Sequence, residues 1–132
     1  TPTQQENYVV REWMEESEVA WMLQNASLAL SRSGANTTLE MRLHAVPAVF
    51  IPLPFAHNNE QFKNAKALAD IGSARILEQK NLNSQTLWDE LQAASSQRAH
   101  MKRRAEKHRD ELITDGAQQL GELCINLLRS GS

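Results

Sequence analysis

The 132-residue chain has a single cysteine, Cys124, so no disulfide framework can form within it. It has no apolar run long enough to span a bilayer. It has no excess of positive charge. The formal net charge is -2, which leaves no overall basic field to draw the chain to nucleic acid. Its first residues, "TPTQQENY", carry neither the basic nor the apolar region of a signal peptide. The histidines His44, His57, His100 and His108 are scattered, and no cluster has metal-ligand spacing. There is no internal repeat and no low-complexity tract. These absences set an expectation: a cytoplasmic chain with no metal, no cofactor and no nucleic-acid partner.

What is present fits one soluble domain with a real core, with 41% hydrophobic and 23% charged residues. "NYVVREW" reads as a strand, Tyr8 to Trp13. "SEVAWMLQNA" reads as a helix, with Val19, Met22 and Leu23 on one face and Ser17 as N-cap. "SLALS", apolar on both faces, reads as a central parallel strand. "TTLEMRLHA" returns to helical spacing through Leu39, Met41 and Leu43. "PAVFIP" is a third strand, bounded by Pro47 and Pro52. "NEQFKNAKALADIG" is a helix stopped at Gly72, and "ARIL" a fourth strand. Strands alternating with helices indicate βαβ units, hence an α/β fold with a Rossmann-like parallel sheet.

From Asn83 the pattern becomes all helix. A helix capped at Asn83 or Ser84 carries Leu87, Trp88 and Leu91. A second, in "AHMKRRAEKHRDELI", carries Met101, Ala105, His108 and Leu112. A third, in "DGAQQLGELCINLL", carries Leu120, Cys124 and Leu127. Cys124, Trp21 and Trp88 read as core. The organisation expected is an α/β nucleotide-binding segment over 1–82, helices of the same domain over 83–129, and a tag or tail at 130–132.

In open α/β sheets, ligands sit beyond the carboxyl ends of the strands. The turn "RSGANTTLE", Arg32 to Glu40, lies there. Gly34 lets a ligand approach the backbone and tolerates positive φ. Asn36, Thr37 and Thr38 would open a helix whose free N–H groups suit a phosphate. The plainer reading is a capping box, Thr37 with Glu40, which needs no ligand. The turn after the third strand opens on the same edge. It is dense in hydroxyl-binding groups: His57, Asn58, Asn59, Glu60, Gln61 and Asn64.

The stretch from "SRSGANTTLEMRLHAVPAVFIPLPFAHNNEQFKNA" to "GSARILEQKNL" resembles the MurG family of lipid II-forming N-acetylglucosaminyltransferases (glycosyltransferase family 28). The shared pattern is Arg-Ser-Gly-Ala-x-Thr, a Glu three residues on, Pro-Ala-x-x-x-Pro-x-Pro, then Gln-x-x-Asn-Ala. It covers about the middle half of the chain, and its motifs run colinearly.

The resemblance implies part of the C-terminal, donor-binding domain of a GT-B fold. UDP-N-acetylglucosamine would be the donor, transferred with inversion to a lipid-linked acceptor in peptidoglycan synthesis. It implies that Ala35, Asn36 and Thr37 border the diphosphate, with Arg32, Ser33 and Gly34 shaping the turn. Glu40 would bind the ribose hydroxyls, Glu60 and Gln61 the sugar hydroxyls, and the Met14 backbone the uracil. Asn64 would hold the loop. No catalytic residue is expected in this chain, since the glycine-rich loops and the acceptor domain of the family are absent from it. By family topology, two further strands would lie between Tyr8–Trp13 and "SLALS".

Two departures stand out. The family often has His where Glu60 stands, and His57 has the wrong spacing for a simple swap. Ala45 occupies a position where the family commonly has Gly, at a cost of roughly 1 kcal/mol if its backbone is left-handed.

"RAHMKRRAEKHRDE" reads as a solvated helix face with i,i+4 pairs. An anionic membrane surface is the alternative partner, and would place the protein peripherally at the inner face of the plasma membrane. Two other functions stay open. One is a non-catalytic nucleotide-sugar-binding subunit that needs a separate acceptor-binding chain. The other is a sugar-nucleotide epimerase of the same fold.

Overall fold

The computed structural model describes residues 7–130. Residues 1–6 of the expected first segment and 131–132 of the expected tail lie outside that range. Among the described residues the sheet has three parallel strands in the order β1-β2-β3. These are β1 (Ala29–Ser31), β2 (Ala48–Phe50) and β3 (Ala74–Ile76). The helices are α1 (Glu16–Asn25), α2 (Ala35–Leu43), α3 (Glu60–Asp70), α4 (Ser84–Ser96) and α5 (Arg98–Ser130). α2 and α3 are the crossovers between successive neighbouring strands, as parallel pairing requires.

The register aligns Leu30, Val49 and Arg75, so these three share one face of the sheet. Strand alternation then splits the core in two. Ala48 and Phe50 pack with Leu23 of α1, Met41 of α2, and Ala65 and Leu68 of α3. Val49 packs the other way, with Ala94 of α4 and Met101 of α5. All three residues of β2 are buried, which is why "PAVFIP" reads as a continuous apolar run. α3 stops where Gly72 adopts φ 87. α4 starts at Asn83, whose side chain accepts from the Thr86 N–H at 2.9 Å.

Several expectations are corrected. Tyr8 to Trp13 forms no strand. Tyr8, Val9, Val10 and Trp13 are exposed, and an extended segment with no neighbouring strand has no ladder to join. "SLALS" is an edge strand, not a central one, and Leu30 is 46% exposed on it. The N-cap of α1 is Glu15, whose own N–H donates to Glu18 at 3.0 Å, not Ser17. On α2 it is Met41 that is buried, while Leu39 and Leu43 face out.

The two helices expected after Arg98 are one, α5, of 33 residues. Gly116 and Gly121 lie inside it, and no other group stands within 4 Å of where their Cβ atoms would be. Among the described residues nothing packs at either glycine, so no contact forces a break at Asp115–Gly116. For the same reason Cys124, expected in the core, is exposed. Trp21 and Trp88 are also exposed, at 67% and 60%.

Candidate functional site

β1 ends at Ser31, and the chain turns through Arg32 and Ser33 into Gly34, the N-cap of α2. Gly34 has φ -63 and ψ 160, ordinary extended backbone, so its tolerance of positive φ is not used. No side chain caps this helix. Its first internal bond runs from the Thr38 N–H to the Gly34 carbonyl, 3.0 Å. The Thr38 hydroxyl, buried, turns back to the carbonyls of Gly34 and Ala35. The N–H groups of Ala35, Asn36 and Thr37 are thus left at the positive end of the helix dipole for an outside acceptor.

The Thr37–Glu40 capping box does not form. With Gly34 as N-cap, Thr37 is already in the first turn and Glu40 in the second. Glu40 is exposed and belongs to no cap. It stands one turn from Asn36 and Thr37 on the same helix face.

Glu40 lines an open cleft of about 780 Å³ that also takes in Trp13, Met14, Glu15, Leu23 and His44. Met14 and Glu40 are thereby brought to one place from either side of β1. With Glu15, Glu16 and Glu40 on its walls, the cleft favours a neutral, hydroxyl-rich group over an anion. The uncapped N-terminus of α2 lies next to it, one turn away.

The turn after β2 meets the same edge of the sheet. Gln61, in the first turn of α3, points its Oε1 at two backbone donors, Leu53 N–H at 2.9 Å and Ser33 N–H at 3.3 Å. Ser33, fully buried, donates its hydroxyl to the Gln61 carbonyl at 2.6 Å. Asn64 donates to the Ser33 carbonyl at 3.1 Å, the loop-holding position expected of it. Arg32 donates to the Ile51 carbonyl at 3.2 Å. Among the described residues no group of His, Cys, Asp and Glu could hold a metal ion.

Residues 3–120 match the glycosyltransferase family 28 C-terminal domain. The chain belongs to this family. It is 31% identical over 122 residues to the UDP-N-acetylglucosamine--N-acetylmuramyl-(pentapeptide) pyrophosphoryl-undecaprenol N-acetylglucosamine transferase of Shewanella oneidensis. That match covers 92% of this chain and 33% of the relative. A relative of the same name from Gloeothece citriformis is 36% identical over 108 residues, 82% of this chain and 30% of its own. The crystal structure of Acinetobacter baumannii MurG superposes with a TM-score of 0.66 at 31% identity, covering 84% of this chain and 33% of that one. The chain spans about a third of the length of the curated relatives it matches.

In this family 28 domain, Glu60 begins α3 and is exposed, after Asn58 and Asn59, both left-handed with φ 52 and 55. A carboxylate in a first helical turn is favoured by the dipole whether or not a sugar is near. His57 stands exposed one short turn earlier. Ala45 does adopt the left-handed backbone, φ 53, and is fully buried. Sequence reasoning missed Trp13, Glu15 and His44 as cleft residues. His44 was within reach, since it lies one turn after Glu40 on the same face. It also missed the fate of the Gln61 oxygen, a contact across 28 residues that no local pattern announces.

Proposed function

We propose that this chain is the donor-nucleotide-binding part of a transferase that moves N-acetylglucosamine from UDP, with inversion, onto a lipid-linked muramoyl acceptor in peptidoglycan synthesis. The observation that carries it is Met14 and Glu40 on the walls of one cleft beside the uncapped start of α2. In this reading the Met14 backbone takes the uracil edge. The Glu40 carboxylate accepts the two ribose hydroxyls. The N–H groups of Ala35, Asn36 and Thr37 take the diphosphate and stabilise the charge that grows on departing UDP.

The site lies within the 1–82 segment, and α4 with the start of α5 covers the Val49 face of the sheet. The attacking hydroxyl belongs to the lipid-linked acceptor, and the base that deprotonates it to the rest of a longer parent protein. A lipid-linked acceptor places that parent at the inner face of the plasma membrane. No helix among the described residues is long and apolar enough to cross it.

The test is calorimetric titration of UDP and UDP-N-acetylglucosamine into the full-length parent protein, with transfer of labelled sugar to a lipid-linked muramoyl acceptor. Micromolar binding and transfer support the reading. Absence of nucleotide binding sinks it.

A further inference from the structure

The turn after β1 is held by the first two turns of α3, through two side chains and one backbone carbonyl. The buried Ser33 has a backbone N–H, a carbonyl and a hydroxyl, none with water to turn to. All three are met from α3: the N–H by Gln61 Oε1, the hydroxyl by the Gln61 carbonyl, the carbonyl by Asn64 Nδ2. Gln61 Oε1 also accepts from Leu53 N–H, in the turn after β2. An amide oxygen has two lone pairs, and here each has a backbone donor. None is left to accept from a sugar hydroxyl. The next residue after Ser33 is Gly34, the N-cap of α2.

Resting on the nucleotide-sugar reading above, we propose that Gln61 is a positioning residue. Its amide oxygen ties the turns after β1 and β2 together and so fixes the N-terminus of α2, acting on the diphosphate through the backbone. The residue therefore governs binding of the UDP portion, which is shared by donor and product, and not recognition of the sugar alone. Ser33 and Asn64 are the other parts of the same clasp. Gln61 Nε2 lies 3.8 Å from where a Cβ on Gly34 would stand, so the amide sits directly against the start of α2.

The experiment titrates UDP and UDP-N-acetylglucosamine separately into the full-length parent protein, its Gln61→Ala variant and its Ser33→Ala variant. Backbone amide hydrogen exchange is followed in the same proteins. Gln61→Ala is expected to weaken both ligands by one common factor, on the order of tenfold, as loss of about one hydrogen bond's worth of positioning implies. Exchange at Ser33 and Leu53 should speed up while Val49, at the centre of β2, stays protected. Ser33→Ala, with the Gln61 side chain intact, should also weaken both ligands. A loss confined to UDP-N-acetylglucosamine, with UDP unchanged, overturns the proposal in favour of a direct sugar contact.

If Gln61→Ala does not fold, Gln61→Glu decides, because a carboxylate oxygen can accept the same two N–H groups. Retained protection at Ser33 and Leu53 supports the clasp, and lost protection overturns it. A wild type that binds neither nucleotide overturns the functional reading, and this proposal's ligand with it. The exchange data still report separately on whether the clasp exists.

Discussion

Lys102 of α5 donates from Nζ to the carbonyl of Ala45 at 2.8 Å, joining residues 57 apart in the chain. Ala45 follows His44, the C-cap of α2, and turns the chain with φ 53. The ammonium therefore stands near the negative end of the α2 dipole and satisfies the carbonyl of the residue just past its C-cap. It also pins α5 to the C-terminal end of the helix whose other end is uncapped.

Removing that cation should cost stability. Lys102→Met keeps most of the stem and loses the charged donor, so urea denaturation should show a loss on the order of 1 kcal/mol. Ala45→Val should cost more, roughly 2–3 kcal/mol, because a β-branched side chain is placed in the left-handed region inside a filled site. Ala45→Gly should stay within about 1 kcal/mol of wild type, since relief of the backbone offsets loss of a buried methyl and added unfolded-state freedom. A strongly destabilised Ala45→Gly would show that the methyl, not the backbone, decides this position.

Asn83→Ala tests a cap visible in both sequence and structure. Asn83 accepts from Thr86 N–H, and its own N–H donates to the Thr86 hydroxyl at 2.9 Å. Loss of the Asn side chain should lower stability by about 1 kcal/mol, read in the same urea titration. Leucine or alanine there without penalty would contradict the assigned start of α4.

The parts legible in the sequence are those fixed by local chemistry. Gly72 at its positive φ, Asn83 at its cap and the wholly apolar β2 each follow from a few neighbouring residues. The parts that were not legible depend on what packs against them. Tyr8 to Trp13 has strand composition but no paired partner among the described residues. Leu120, Cys124 and Leu127 have core spacing, yet α5 runs past the sheet and leaves them exposed. In the site, the turn and Glu40 could be read from the pattern. That α2 starts at Ala35, which excludes a Thr37–Glu40 cap, could not, because Gly34 carries no capping side chain to mark it.

Gly34→Ala separates folding from binding. The protein itself has room for the methyl, since its nearest neighbour would be Gln61 Nε2 at 3.8 Å and the backbone is ordinary. Alanine is a poorer N-cap than glycine by about 1 kcal/mol but lowers unfolded-state entropy by a similar amount, so the melting temperature should hardly move. UDP affinity in the full-length protein should still fall on the order of tenfold, because the methyl blocks close approach to the helix start. Equal affinity would mean that no ligand group comes near Gly34.

The 132-residue chain alone should not transfer sugar. It spans about a third of the relatives named as transferases. Incubation of the purified chain with labelled UDP-N-acetylglucosamine and a lipid-linked acceptor should give no product. Turnover near the ordinary enzymatic range, about 1 per second or faster, would place the whole chemistry within these residues.

Glu40 and Thr37 make the most direct test of the site. Glu40 takes no part in capping α2 and is exposed, so Glu40→Gln should leave the melting curve unchanged. Glutamine keeps the size but loses the charge and one acceptor oxygen. If the carboxylate binds the ribose, hydrogen bonds worth about 1.5–3 kcal/mol are weakened, and UDP affinity should fall on the order of tenfold to a hundredfold. Thr37 is likewise inside the helix and not its cap, so Thr37→Ala should also leave stability nearly unchanged, within about 0.5 kcal/mol. Its backbone N–H, the group proposed to face the diphosphate, survives the substitution. Thr37→Ala should therefore bind UDP within a few-fold of wild type, well above Glu40→Gln. Titration of UDP into the two full-length variants gives the order. If Thr37→Ala loses as much affinity as Glu40→Gln, the hydroxyl binds the ligand directly. If neither loses any, the cleft shared by Met14 and Glu40 is not where the nucleotide sits.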